Sequence, residues 1–251
     1  MPLDRPITPS DLPGDPREFL EGRLASCHSQ IAAAAERGGR SAADVQLLVV
    51  TKYVDVDVIR VLYDLGVRDF GENRLQAALH KWDALKELSD ARFHFVGHLQ
   101  RNKVATILEH CAAIHSLDSL RLLEALERRI ALRDTPAPSM YVEVNLGEAQ
   151  KGGVSERDLP MLLDRAAKQP RVGRAVRGLM AMAPRADDPG AIRPHFQRLR
   201  ELRDQYRTQG LLPPDAGLSM GMSGDFPVAV EEGATVVRIG TVLYQRDRDT
   251  E

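Results

Sequence analysis

The chain has 251 residues, 43% of them hydrophobic and 28% charged, with a formal net charge of −2. That length can build one large domain or two small ones, and the composition is that of a globular protein. The near-neutral balance supplies no basic field for nucleic acid or an anionic membrane. No apolar stretch reaches signal-peptide or membrane-spanning length. Two cysteines, Cys27 and Cys111, sit in apolar patterns, which argues against a disulfide framework and for the reducing cytoplasm.

Residues 1–14 hold Pro2, Pro6, Pro9 and Pro13 and read as a flexible lead-in to a single domain over 15–251. Asp15-Pro16 supplies an N-cap and a proline at the first helical position. Leu20, Leu24, Cys27 and Ile31 follow at helical spacing, and Gly38-Gly39 stops that helix. From there apolar runs alternate with amphipathic segments. VQLLVVTK (45–52) precedes a helix over 56–65, VRDFGEN (67–73) one over 74–88, and FHFVGHL (93–99) one over 102–109. AAIHSLD (112–118) precedes 120–132, MYVEVNL (140–146) precedes 156–167, and VRGLMAMA (176–183) precedes 189–206. LSMGMS (218–223), a helix over 226–232 and TVVRIGT (235–241) close the series.

Strands alternating with helices mean βαβ units and a parallel sheet. Eight strands with no segment left for a second domain predict a single (β/α)8 TIM-type barrel with an extra N-terminal helix. A doubly wound open sheet is the competing architecture. It calls for a glycine-rich turn after the first strand, where this chain has KYVDVD.

Barrels of this kind carry their chemistry at the C-terminal ends of the strands. Those ends are Lys52, Asn73, His98, Asn145, Met182, Ser223 and Gly240-Thr241. One amine among small and amide-bearing groups, with no pair of carboxylates, disfavours glycoside hydrolysis. His110, Cys111 and His115 lack metal-ligand spacing. Ser223-Gly224-Asp225 opens a short helix after strand seven, and Arg238-Ile239-Gly240-Thr241 closes strand eight. Loops after these two strands form the recurrent phosphate site of the fold, where backbone N–H groups cradle an anion. A lysine beside a phosphate cradle suits a phosphorylated carbonyl compound. Either a sugar phosphate in a class I aldolase or pyridoxal 5′-phosphate (PLP) satisfies that description.

VVTKY, FGENRLQ, FHFVGHLQRNK, VNLGEAQKGG, GLMAM, LSMGMSGDF and VRIGTVLY resemble, in order and spacing, the pyridoxal-phosphate homeostasis proteins. The resemblance spans roughly residues 17 to 244 and implies the type III fold of PLP proteins, similar to the N-terminal barrel of alanine racemase. It implies PLP held as a Schiff base on Lys52, with Asn73 near the ring. Ser223, Gly240 and Thr241 would hold the phosphate, Ser219 and Met220 would lie on the strand beneath, and Arg238 would point at the pyridine nitrogen. A cation there disfavours ring protonation and weakens the cofactor as an electron sink.

The chain departs from the usual pattern at Tyr53-Val54 after the lysine, Arg74 after GEN, Arg101 in LQRNK, and Tyr244-Gln245 near the end. These positions bear on ring packing and on any effector contact near strand two. No second domain is expected after the barrel to bring a base to the opposite cofactor face, so two-sided proton transfer is not expected. The expected function is non-catalytic: a cytoplasmic, monomeric PLP-binding protein that maintains vitamin B6 and amino- and keto-acid homeostasis, with PLP-dependent apoenzymes as partners. The alternative is a single-domain PLP-dependent enzyme, such as a weak amino acid racemase. A purely structural barrel would need no reactive lysine. His94 and His98 share a face of strand three and are expected to be partly buried with hydrogen-bonded partners. Trp82 is expected to anchor a helix outside the barrel. Glu148 and Lys151 lie in the loop after strand five, as a lid or a solvated turn.

Overall fold

The computed structural model describes residues 5–147, 152–184 and 189–245. Its strands are β1 (Gln46–Val50), β2 (Asp69–Glu72), β3 (Arg92–Phe95), β4 (Ala113–Leu117), β5 (Ser139–Asn145), β6 (Val154–Ser155), β7 (Val176–Met180), β8 (Gly217–Met222) and β9 (Val236–Ile239). Its helices are α1 (Pro16–Arg37), α2 (Val56–Asp64), α3 (Leu75–Ala84), α4 (Val104–His110), α5 (Leu120–Ala131), α6 (Leu159–Ala167), α7 (Pro170–Gly173), α8 (Pro189–Thr208), α9 (Phe226–Glu231) and α10 (Thr241–Tyr244). The strands run parallel in the order β4-β3-β2-β1-β9-β8-β7-β5, and β4 pairs back with β5. That last pairing closes the expected eight-stranded barrel. The two-residue β6 only extends the end of β5.

Period-two alternation sorts the strand residues between two environments. Leu48 and Val50 face inward, where they meet Gly71 of the neighbouring strand. Val49, Phe70, Phe95, Ile114, Val142, Leu218, Val237 and Ile239 belong to the apolar layer shared with the helices. Leu62, Ala78, Trp82, Leu122, Leu126, Leu162, Phe196 and Ala229 complete that layer. Burying a large apolar side chain there contributes about 1.5–3 kcal/mol.

Helix starts follow their caps: Asp15 accepts from the backbone of Arg17 and Glu18, Asp55 from Val58, and Ser119 from Leu122. Helix α1 buries Leu20, Leu24, Cys27, Ile31 and Ala34 and is tied to the barrel's last elements. Arg37 pairs with Glu231 at 2.6 Å, and an Arg23 guanidinium N–H donates to the Gln245 carbonyl at 2.7 Å.

The proline-rich segment before α1 is attached as far as it is described. Ile7 forms a parallel bridge with Val54, its N–H donating to the Tyr53 carbonyl at 2.7 Å. Arg5 and Asp11 pair at 2.6 Å, and Leu12 is buried. Proline-rich composition carries no periodic signal for such backbone ties. Cys27 and Cys111 are buried free thiols. No described helix is long and apolar enough to cross a membrane.

Candidate functional site

Strand β1 ends at Val50, and Thr51-Lys52 turns away at the mouth of the barrel. Lys52 is half-buried. Its ammonium lies 4.6 Å from the Tyr53 ring centroid and has no carboxylate partner among the described residues. Thr51 is locked from behind. Its hydroxyl donates to Glu72 Oε1 at 2.7 Å, and its carbonyl accepts from Lys81 Nζ at 2.6 Å. Lys81 and Glu72 form an ion pair at 2.6 Å, both nearly inaccessible to water. Neither residue stands out among the strand ends. The available signal was a lysine on the stripe that α3 buries through Leu75, Ala78 and Trp82.

Asn73 follows β2 and is half-buried. Gly97 presses against it so closely that a Cβ there would sit 2.1 Å from the Asn73 carbonyl oxygen, so only glycine admits this approach. The same crossing ends β3 at Phe95 and turns the chain outward. His98 is therefore exposed rather than sharing a strand face with His94, and it pairs with Asp118 at 2.8 Å. Asn145 folds back on its own loop, its Oδ1 accepting from the Gly147 N–H at 3.0 Å. Glu148 and Lys151 lie outside the described residues.

On the other side of β1 from Asn73, the loops after β8 and β9 converge on one oxygen. Ser223 Oγ accepts from the N–H of Gly240 at 3.2 Å and of Val242 at 3.4 Å. Backbone amides aimed at one point form an anion cradle. Gly240 lies against β1: a Cβ there would stand 3.1 Å from the Val50 carbonyl oxygen. The cradle and Lys52 are thus neighbours across the β1–β9 pairing. Thr241 is exposed beside it. Asp225 turns its carboxylate back to the Met222 N–H.

Alternation along β8 separates the two residues expected beneath the site. Ser219 faces the interior, while Met220 packs into the outer apolar layer and offers the site only backbone. Met180 is buried, whereas Met182 and Met222 are exposed at the mouth. Trp82 is buried on α3 and stacks on His110 at 5.1 Å.

Arg238 is buried inside the barrel. One guanidinium nitrogen donates to the Ser219 carbonyl at 2.7 Å and to its hydroxyl at 2.9 Å, the other to the Ala181 carbonyl at 3.2 Å. Burial lowers its pKa to about 10, against the opposing pull of Asp225 and Glu143, so it stays a cation at neutral pH. Burial raises the Glu143 carboxyl, Asp118 adds to the rise, and Arg238 and His98 oppose it.

Below Arg238, His115 Nδ1 lies 2.8 Å from Ser219 Oγ. His115 Nε2 lies 3.0 Å from His94 Nδ1, and His94 Nε2 lies 3.0 Å from Asp69 Oδ1. His115 stacks on Tyr141 at 4.7 Å. Burial holds its pKa well below the ordinary histidine value, with His94 and Arg238 pressing the same way.

At the barrel floor, burial alone would raise the Asp69 carboxyl. Hydrogen bonds from His94, Arg92 and Gln46 outweigh it and hold the group well below the usual carboxylate range. A depressed carboxyl stabilises the fold above its unfolded pKa of about 3.9 and loses that contribution as pH falls towards the folded value. Thermal melts should therefore show stability declining as pH drops below about 4. Asp69→Asn should flatten that acid limb and lower stability at neutral pH. An unchanged acid limb in the variant would assign the effect elsewhere.

The alanine racemase N-terminal domain family matches residues 28–247. The pyridoxal phosphate homeostasis protein of Aquifex aeolicus is 43% identical over 224 residues, covering 88% of this chain and 96% of the relative. That of Mycobacterium leprae is 36% identical and covers 95% of this chain and 96% of its own. The structure of PipY from Synechococcus elongatus with PLP bound superposes with a TM-score of 0.79 at 35% identity, covering 90% of this chain and all of that one. With its barrel closed and these matches running over most of its length, the chain belongs to the pyridoxal phosphate homeostasis protein family, built on the alanine racemase N-terminal domain.

Proposed function

We propose that this protein binds PLP covalently through Lys52 and acts without catalysis, holding the cofactor and releasing it to PLP-dependent apoenzymes in the cytoplasm. In doing so it maintains vitamin B6 and amino- and keto-acid balance. The observation that carries the reading is the pairing of a half-buried amine, free of any carboxylate among the described residues, with the amide cradle at Ser223. When bound, the cofactor supplies an aldehyde that accepts an amine and a ring that withdraws electrons. The residues of the site fit that group.

Lys52 offers the amine, and the Glu72–Lys81 lock behind Thr51 fixes where it emerges. The Gly240 and Val242 amides, with the Ser223 and Thr241 hydroxyls, would hold the phosphate, and Asn73 would flank the ring. Arg238 would put a cation at the ring nitrogen and disfavour its protonation, with Ser219 holding Arg238 and Met220 contributing backbone. Weak electron withdrawal suits storage better than proton abstraction at an α-carbon.

Buried free thiols fit a reducing compartment. A monomer fits the few large apolar side chains exposed among the described residues, Tyr53, Leu79, Leu132, Met161, Met182 and Met222.

Incubating the loaded protein with single amino and keto acids, then with a PLP-requiring apoenzyme, tests the proposal. No racemisation or transamination, together with activation of the apoenzyme, is the expected result. Steady turnover of an amino acid would make the chain a PLP-dependent enzyme instead.

A further inference from the structure

The interior of the barrel holds a line of buried polar groups that a cofactor clamp does not by itself require. From the floor upward it runs Asp69, His94, His115, Ser219 and Arg238, each linked to the next at 2.8 to 3.0 Å. At the floor, Arg92 grips Asp69 with two donors at 2.7 and 2.6 Å. His94 and Ser219 are buried and His115 is fully inaccessible, so every proton on the line has to find its acceptor within it.

Only one arrangement of protons satisfies all the groups. The Asp69 carboxylate accepts, so His94 Nε2 carries a hydrogen. A single hydrogen then lies between His94 Nδ1 and His115 Nε2. If it belonged to His94, His115 would carry its own hydrogen on Nδ1 and donate to Ser219 Oγ, which already accepts from Arg238. The serine hydroxyl hydrogen would then lack an acceptor among the described residues. If it belongs to His115, both rings are neutral, Ser219 donates to His115 Nδ1, and every donor and acceptor is used.

We propose that these groups form a one-way hydrogen-bond line in which His115, through Ser219, is the positioning residue that fixes Arg238 where it would face the cofactor's ring nitrogen. The proposal deepens the PLP reading and rests on it for the identity of the ring, while the line itself stands without it. With the Ser219 proton turned towards His115, the serine oxygen remains open to Arg238. The guanidinium is then held by two carbonyls and one hydroxyl and cannot swing away from the site without breaking all three bonds.

The first test needs no cofactor. Full-length protein labelled with 15N-histidine is examined by NMR, where two-bond nitrogen–proton couplings distinguish tautomers. His94 and His115 should both be neutral with the hydrogen on Nε2 at pH about 7. A doubly protonated ring, or a hydrogen on His115 Nδ1, would overturn the line. Ser219→Ala removes the donor to His115 Nδ1, so the Nδ1 resonance should shift while the hydrogen stays on Nε2, which His94 still accepts. An Nδ1 resonance unmoved by the substitution would show that Ser219 does not donate to it and would overturn the upper half of the line.

The second test reads the cofactor. Ser219→Ala and His115→Gln should retain PLP about tenfold less tightly, with a displaced visible band, while Lys52 remains the residue trapped by borohydride. Wild-type affinity and spectrum in both variants would leave the line structural and remove its role towards Arg238. If the wild-type protein fails to bind PLP, the cofactor reading falls, and the tautomer experiment still decides the line.

Discussion

Lys52→Ala should lose PLP on dialysis and show no visible cofactor band. The covalent bond disappears and only the phosphate cradle and ring contacts remain. Apparent affinity should fall at least about a hundredfold, equivalent to about 2.7 kcal/mol. Folding should hardly change. Lys52 is half-buried and has no carboxylate partner among the described residues, and its one ring contact, with Tyr53 at 4.6 Å, is worth about 0.5–1 kcal/mol at an exposed site. Equilibrium dialysis and thermal melts on the same preparation separate the two quantities. Retention at the wild-type level would move the attachment to another lysine.

The opposite division holds for Lys81→Met. Lys81 and Glu72 are 6% and 1% exposed, and Glu72 Oε2 has no hydrogen-bond partner among the described residues. Removing the cation strands a carboxylate in the apolar layer between α3 and the barrel. Breaking a buried pair from one side costs about 3–5 kcal/mol, a drop of roughly 10 °C in Tm for a chain of this size. The Thr51 carbonyl also loses the lysine, so the turn carrying Lys52 loosens and cofactor retention should weaken as well.

The double variant Lys81→Met/Glu72→Leu separates charge from position. It replaces the pair by apolar groups of similar size and should recover most of the stability. The lost tie to Thr51 should persist in weakened retention. A Lys81→Met protein that melts with the wild type would mean the carboxylate finds water or another partner.

Why Lys52 was legible and Lys81 was not is a matter of what surrounds each. LLVVTK presents an amine at the end of an apolar strand, which a strand-end rule picks out at once. Lysine in an amphipathic helix reads as a solvated residue. Only its place between Ala78 and Trp82 on the buried stripe of α3 shows otherwise. Glu72 was hidden in the same way, since a polar residue beside Asn73 looks like part of the loop.

The alternation of eight strands with helices was readable because each strand is buried and punctuated. The two-residue β6 and the single-turn α7 are too short to leave a period. FHFVGHL reads as one strand carrying two histidines, yet the tight contact of Gly97 on Asn73 ends β3 and sends His98 into solvent. Contacts between segments distant in the chain leave no local trace. The line from Asp69 to Arg238, which joins five separate places along the chain, was invisible for the same reason.

The attachment point is the centre of the account. Wild-type protein saturated with PLP, reduced with borohydride, digested and mapped by mass spectrometry reads it directly. The account predicts a single modified peptide, LLVVTK with its flanking residues, carrying the reduced adduct on Lys52. An adduct spread over surface lysines such as Lys86 and Lys168, with Lys52 unmodified, would contradict it.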